Sequence, residues 1–340
     1  MTSPKGRVWD HNIRRRPFPA VTAPKAVHAL FTLPVMMNVD RSEYMGLTTQ
    51  REGTVQVPGG NVWYHIEGDG PGTPLLMLHG GPGAGWDYFE PMIALGDERP
   101  IVFYDQLGCG KSDIPDGTSL WTVKRFTEEV SAVRAALGLE RIHLLGHSWG
   151  GWLAIEYLLG KPAGIASLTL VNTSASARAF EAGCVRLLKD LPEDIQQTIE
   201  RCEAEGKTDD PQYQMASFAF LQKHLCRIQP WPDCMARTGA NVAASPVYRY
   251  MWGPSEFTCT GPLASWDRSG RLNEITAPTL VVSGPHDEMV PELAEELHAG
   301  IPASELAMIQ ETSHTPWIER PDAFFDVLRP FLRKHDTAKR

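Results

Sequence analysis

Two patterns of apolar and polar positions divide this chain. Before about residue 174 and again after about residue 262, short apolar runs alternate with longer amphipathic stretches, and between those limits the apolar runs vanish. Alternating apolar and polar residues over 54–57 and 62–66, joined by Pro58-Gly59-Gly60-Asn61, predict a β-hairpin. Continuous apolar runs at 75–78, 100–104, 142–145, 165–171 and 278–283 have the form of fully buried strands, and 305–309 adds another. Helical periodicity fills the intervals: the spacing predicts helices over 86–95, 121–137, 292–298 and 322–334. Strands alternating with helices imply a mostly parallel, doubly wound α/β sheet covered on both faces, and such sheets bind ligands at the carboxyl ends of their strands.

The interruption is of another kind. Residues 174–261 carry amphipathic helical segments at 185–191, 195–205 and 214–225, proline-rich joints and many aromatics, with little strand signal. An inserted helical cap over the strand ends is the economical reading, with 48–173 and 262–335 as the core and most cap aromatics serving as packing. Residues 1–47 form a separate arm. Its basic residues include Arg14-Arg15-Arg16, an arrangement seen in export or organelle signals, but Pro17, Pro19, Pro24, Lys25 and His28 interrupt any apolar segment behind it. A disordered or docked arm on a cytoplasmic protein is expected, with export or organelle delivery as the alternative.

Charge and cysteine usage narrow the partners. A formal net charge of -9 argues against a nucleic-acid polyanion. No run reaches the roughly 18 apolar residues that span a bilayer, so no membrane partner is expected. Cys109, Cys184, Cys202, Cys226, Cys234 and Cys259 show no zinc-ligand spacing, so neither metal nor cofactor is expected, and reduced thiols are favoured over disulfides. Gly110-Lys111-Ser112 looks like the tail of a phosphate loop. Asp105, however, stands where the first glycine of that motif belongs, and its carboxylate would repel phosphate.

The chemistry centres on Gly146-His147-Ser148-Trp149-Gly150-Gly151, which follows an apolar run and precedes a good helix. A serine at G-x-S-x-G spacing between strand and helix is a nucleophile elbow, whose tight turn pushes the hydroxyl out above the sheet. A serine needs a base, and the base needs a carboxylate to orient it. Asp287 and His314 each follow a late strand, and the order Ser148, Asp287, His314 is that of α/β-hydrolases. The histidines at 79, 147 and 286 are weaker candidates by position. His79-Gly80-Gly81-Pro82-Gly83 supplies a loop for close backbone approach, so the oxyanion hole is expected from the N–H groups of Trp149 and Gly81. Activity is expected to fall below about pH 6.5 as an ordinary histidine protonates.

Four stretches in order carry a resemblance: residues 79–83, Asp105-Gln106-Leu107-Gly108-Cys109-Gly110-Lys111-Ser112, the elbow, and Gly253-Pro254-Ser255-Glu256-Phe257. Together, over about residues 50–334, they resemble the prolyl aminopeptidase (proline iminopeptidase) family of α/β-hydrolase serine peptidases and the related L-amino-acid amidases. The resemblance implies removal of one N-terminal residue, proline or another apolar one, from a short peptide or amino-acid amide. It also implies that Glu256 and Glu288 bind the substrate's free α-amine. Leu107 departs from the family's arginine in D-Q-R-G. The alternatives are an esterase, lactonase or carbon-carbon bond hydrolase using the same triad, and a catalytically silent binding module of this fold. The sequence leaves the oligomeric state open.

Overall fold

In the structure, a computed structural model, residues 50–336 are described; the arm expected over 1–47 lies outside the described residues. Eight strands form one sheet in the order β1-β2-β4-β3-β5-β6-β7-β8. Strand β1 (Gln50–Val57) pairs antiparallel with β2 (Gly60–Glu67), and β2 pairs antiparallel with β4 (Ile101–Tyr104). From β4 onward all neighbours are parallel: β3 (Leu75–Leu78), β5 (Ile142–His147), β6 (Ile165–Val171), β7 (Thr279–Ser283) and β8 (Ser304–Met308). Strands β3, β4, β5 and β7 are buried along their whole length, as continuous apolar runs between two helical layers should be.

Helices α1 (Val123–Ala136), α2 (Trp149–Leu159), α8 (Pro291–Gly300) and α10 (Pro321–His335) follow strands in the expected alternation, with a short α9 (Pro316–Glu319) before the last. The Thr122 hydroxyl accepts the Arg125 N–H, so α1 starts two residues later than its apolar periodicity predicts. The helix expected over 86–95 is a 3₁₀ helix, Asp87–Leu95, with Pro91 inside it; proline cannot donate the bond an α-helix interior requires.

Between β6 and β7 the chain runs through α3 (Ala177–Leu188), α4 (Glu193–Ala204), α5 (Pro211–His224), α6 (Asp233–Ala244) and α7 (Pro246–Met251). The sequence reading anticipated three of these five and started the first eight residues late, because the Ser176 cap outranks periodicity in setting where α3 begins. These helices pack on loops at the carboxyl ends of the strands. The Thr238 hydroxyl accepts the Tyr88 N–H, and the Ser245 hydroxyl donates to the Gly108 carbonyl. Tyr213, Phe220 and Phe257 pack together as interior of the helical segment, whereas Tyr250 is exposed. All six cysteines are free.

Candidate active site

The turn from β5 into α2 dictates its own sequence. Ser148 sits at φ 55° and ψ -124°, a backbone conformation that L residues rarely adopt. The glycines around it are set by contact: a Cβ on Gly146 would lie 2.3 Å from the Gly150 carbonyl oxygen, and one on Gly150 would lie 2.0 Å from that of Leu78. Strand β3, strand β5 and α2 therefore meet backbone to backbone, and the serine is held at the carboxyl edge of the sheet. Trp149 opens α2, where a first-turn N–H has no partner within the helix. Gly81, at φ 104°, lines the same small cavity as Ser148 and Trp149. The two expected oxyanion donors thus flank the serine.

The loops after β7 and β8 bring the other two predicted residues together. Nδ1 of His314 donates to Oδ1 of Asp287 at 2.6 Å, and that oxygen also accepts the Met289 N–H at 3.0 Å. The bond fixes the neutral tautomer with the proton on Nδ1, leaving Nε2 as the basic atom. Among the described residues Ser148 and His314 form no hydrogen bond; Nε2 instead faces Oε1 of Glu288 at 3.5 Å. Burial pushes the His314 imidazole down to about 3. A group sealed from water resists taking up charge, so burial moves protonation of this histidine to lower pH than the roughly 6.5 expected of an ordinary one.

Glu256, beyond α7, and Glu288, beside Asp287, form the acidic side of the site. Glu256 lines the cavity with Ser148, and its Oε1 accepts the Tyr248 hydroxyl at 2.7 Å. Burial raises Glu256 to about 7, partly offset by the Tyr248 bond. Glu288 is 1% exposed and is raised well above the usual carboxylate range by burial, then by the charges of Glu256 and Asp287. Its Oε2 is buried without a hydrogen-bond partner. Three carboxyl groups thus share one interior with a neutral histidine.

Other residues hold this arrangement in supporting roles that the sequence did not assign to them. The Gly80 N–H donates to the Tyr88 hydroxyl (2.7 Å), which meets Nδ1 of His147 (2.8 Å), whose Nε2 reaches the His314 carbonyl (2.9 Å). The carbonyl accepts, so Nε2 of His147 carries the proton and Nδ1 accepts from Tyr88. His79 does the same for the neighbouring loop: its Nε2 accepts the Gln106 N–H, and the Gln106 side chain joins the His79 carbonyl to the Trp149 indole N–H. Burial lowers His79 to about 4 and His147 well below its ordinary value, so both stay neutral. Leu107, the departure from D-Q-R-G, is fully buried; its N–H faces Glu129, which pairs with Arg125 of α1. His286 lies outside this arrangement, its carbonyl accepting from His224.

The cavity beside Ser148 is walled by Trp152, Phe180, Trp252, Leu263 and Met289 and holds about 10 Å³, room for about one water. Trp152 stacks on Trp266 at 4.6 Å, and Phe180 lies 5.1 Å from Trp252. Among the described residues no cluster of side chains suits a metal ion, and no helix is long and apolar enough to cross a membrane.

Comparison with known proteins agrees with the fold. The family described as the alpha/beta hydrolase fold matches residues 73–321. A proline iminopeptidase of Heyndrickxia coagulans is 40% identical over 282 residues, 83% of this chain and 98% of that protein. Among solved structures, VinJ superposes with a TM-score of 0.81 at 35% identity, covering 84% of this chain and 98% of VinJ. The Mycobacterium smegmatis proline iminopeptidase follows with a TM-score of 0.78 at 37% identity and the same two coverages.

Proposed function

The chain belongs to the proline iminopeptidase family of α/β-hydrolase-fold proteins, and from that premise we propose a serine aminopeptidase that removes one N-terminal residue from short peptides or amino-acid amides. In this reading Ser148 Oγ attacks the scissile carbonyl carbon while Nε2 of His314 takes its proton. Asp287 holds the imidazole through Nδ1 and stabilises the imidazolium that forms. The N–H groups of Trp149 and Gly81 receive the developing oxyanion. His314 then gives its proton to the leaving amine, and a water hydrolyses the acyl-enzyme by the same steps. No cofactor enters the scheme.

The observation that carries the aminopeptidase reading is a carboxyl pair: Glu256, which lines the cavity with Ser148, and Glu288, buried 3.5 Å from Nε2 of His314. An uncompensated buried carboxylate is costly, and a substrate ammonium would offset that cost while setting the cut one residue from the amino terminus. An esterase or lactonase has no need of this pair. Helices α3–α7 serve as the cap over residues 174–261 that excludes water from the acyl-enzyme. Six free thiols suit a reducing compartment, and we assign the cytoplasm.

The test is hydrolysis of a prolyl arylamide against its N-acetyl form. The acetylated substrate should lose about 10- to 100-fold in kcat/KM, the worth of a charge-assisted hydrogen bond or two. Equal rates on both would remove the aminopeptidase reading while leaving a serine hydrolase.

A further inference from the structure

Glu288 stands at a crossing of two tasks. Its Oε1 faces Nε2 of His314 at 3.5 Å, the one atom that must accept the Ser148 proton. Its Oε2 has no partner and shares its interior with Glu256. The groups around it offer no cation. Asp287 and Glu256 are acids, Cys184 donates only to the Glu288 main-chain carbonyl, and Tyr248 is committed to Glu256. His314 is itself neutral, and burial together with two acidic neighbours favours a proton on the Glu288 carboxyl. Such a proton has one acceptor within reach besides the other acids, the lone pair of Nε2.

We propose that Glu288 occupies Nε2 of His314 in the free enzyme and that the substrate's amine draws it away, so the base is armed by the amino terminus about to be released. The inference rests on the aminopeptidase reading and adds to it an order of events. The protons balance in either protonation state of the arriving amine. An uncharged amine takes the Glu288 proton and becomes the ammonium that the carboxylate then binds; a charged one displaces the proton to solvent. Either exchange leaves the Nε2 lone pair free. Ser148 Oγ can then bond to the carbonyl carbon as its proton passes to Nε2. A molecule without an amine meets a serine whose base is still engaged.

The experiment divides the substrate into its two halves. Methanesulfonyl fluoride, which lacks an amine, sulfonylates an active serine: Oγ bonds to sulfur, fluoride leaves and the serine proton goes to the base. Pyrrolidinium supplies the ammonium alone, and its binding is read separately as competitive inhibition of prolyl arylamide hydrolysis. With wild-type protein, saturating pyrrolidinium should speed sulfonylation of Ser148 by about ten-fold or more, since a ligand shifts an equilibrium only by its preference for one state. Glu288→Ala should react at the faster rate without pyrrolidinium and gain nothing from it. If pyrrolidinium competes with substrate yet leaves sulfonylation of the wild type unchanged or slower, arming is wrong and the aminopeptidase reading stands. If pyrrolidinium does not compete, the amine site falls and the proposal falls with it.

Discussion

The two flanks of Ser148 are built on opposite principles. On one side lie the loop after β3 and the residues that hold it: Tyr88, His147, His79, Gln106 and the Trp149 indole. Every one of these is buried, neutral and hydrogen-bonded, in chains that end on main-chain groups. On the other side lie Asp287 and Glu288, both buried, and the half-buried Glu256, all acidic, with one oxygen of Glu288 unpartnered. The first flank is finished without a ligand and the second is not. A satisfied network rigidifies, while a buried polar group without a partner is costly until something completes it. The glycine-loop side is therefore organised for constant geometry, and the acidic side, in the proposed reading, for selecting what may react.

Removing the residue between the flanks tests whether both serve one reaction. Ser148→Ala should lower kcat on a prolyl arylamide by about four to six orders of magnitude, and His314→Ala should do nearly the same. Turnover near wild type in folded Ser148→Ala would dissociate the two flanks from catalysis altogether. Glu256→Gln probes the acidic flank, since an amide can still accept the Tyr248 bond but carries no charge. A loss of about 10- to 100-fold in kcat/KM is expected for the free-amine substrate, with little change for the acetylated one.

The pH profile sharpens the same point. With its carboxyl raised to about 7, Glu256 is ionised only above that value, so wild-type kcat/KM should fall as pH drops through about 7. His314, lowered to about 3, stays neutral across that range and cannot account for the loss. In Glu256→Gln that limb should flatten; an unchanged limb would assign it to another group. The smallest expected effect belongs to the finished flank. Tyr88→Phe leaves the Gly80 N–H and Nδ1 of His147 unpaired in the interior, at a cost of about 1–3 kcal/mol in stability, read as a lowered urea midpoint. Its effect on selection for a free amine should be nil.

The sequence singled out Ser148, Asp287, His314, Glu256 and Glu288 because those residues sit at conspicuous places: the ends of apolar runs, a glycine-bracketed turn, or a stretch shared with a known family. Ser148, Asp287 and His314 needed only strand order to be brought to one edge. Tyr88 lacked any such mark, and Gln106, though inside one of the shared stretches, was given no role by it. Tyr88 lies inside a proline-bearing 3₁₀ helix, and its partner His147 is 59 residues away, a pairing that no local periodicity encodes. His147 did have a signal in its position next to the nucleophile, but it lies upstream of the late strands from which the base was expected, so it ranked below His314. Helices α6 and α7 were missed for a related reason. Their boundaries rest on Pro232 at the α6 N-cap, Ser245 at the α7 N-cap and Pro246 in the first turn of α7, and those prolines read as joints rather than as helix starts.

The tight wall over Ser148 fixes the traffic of the reaction. A space with room for about one water admits no proline ring, so each substrate waits until Phe180, Trp252, Leu263 and Met289 separate, and each product waits for the same breach. Where that parting limits turnover, thickening the solvent with sucrose should slow the enzyme.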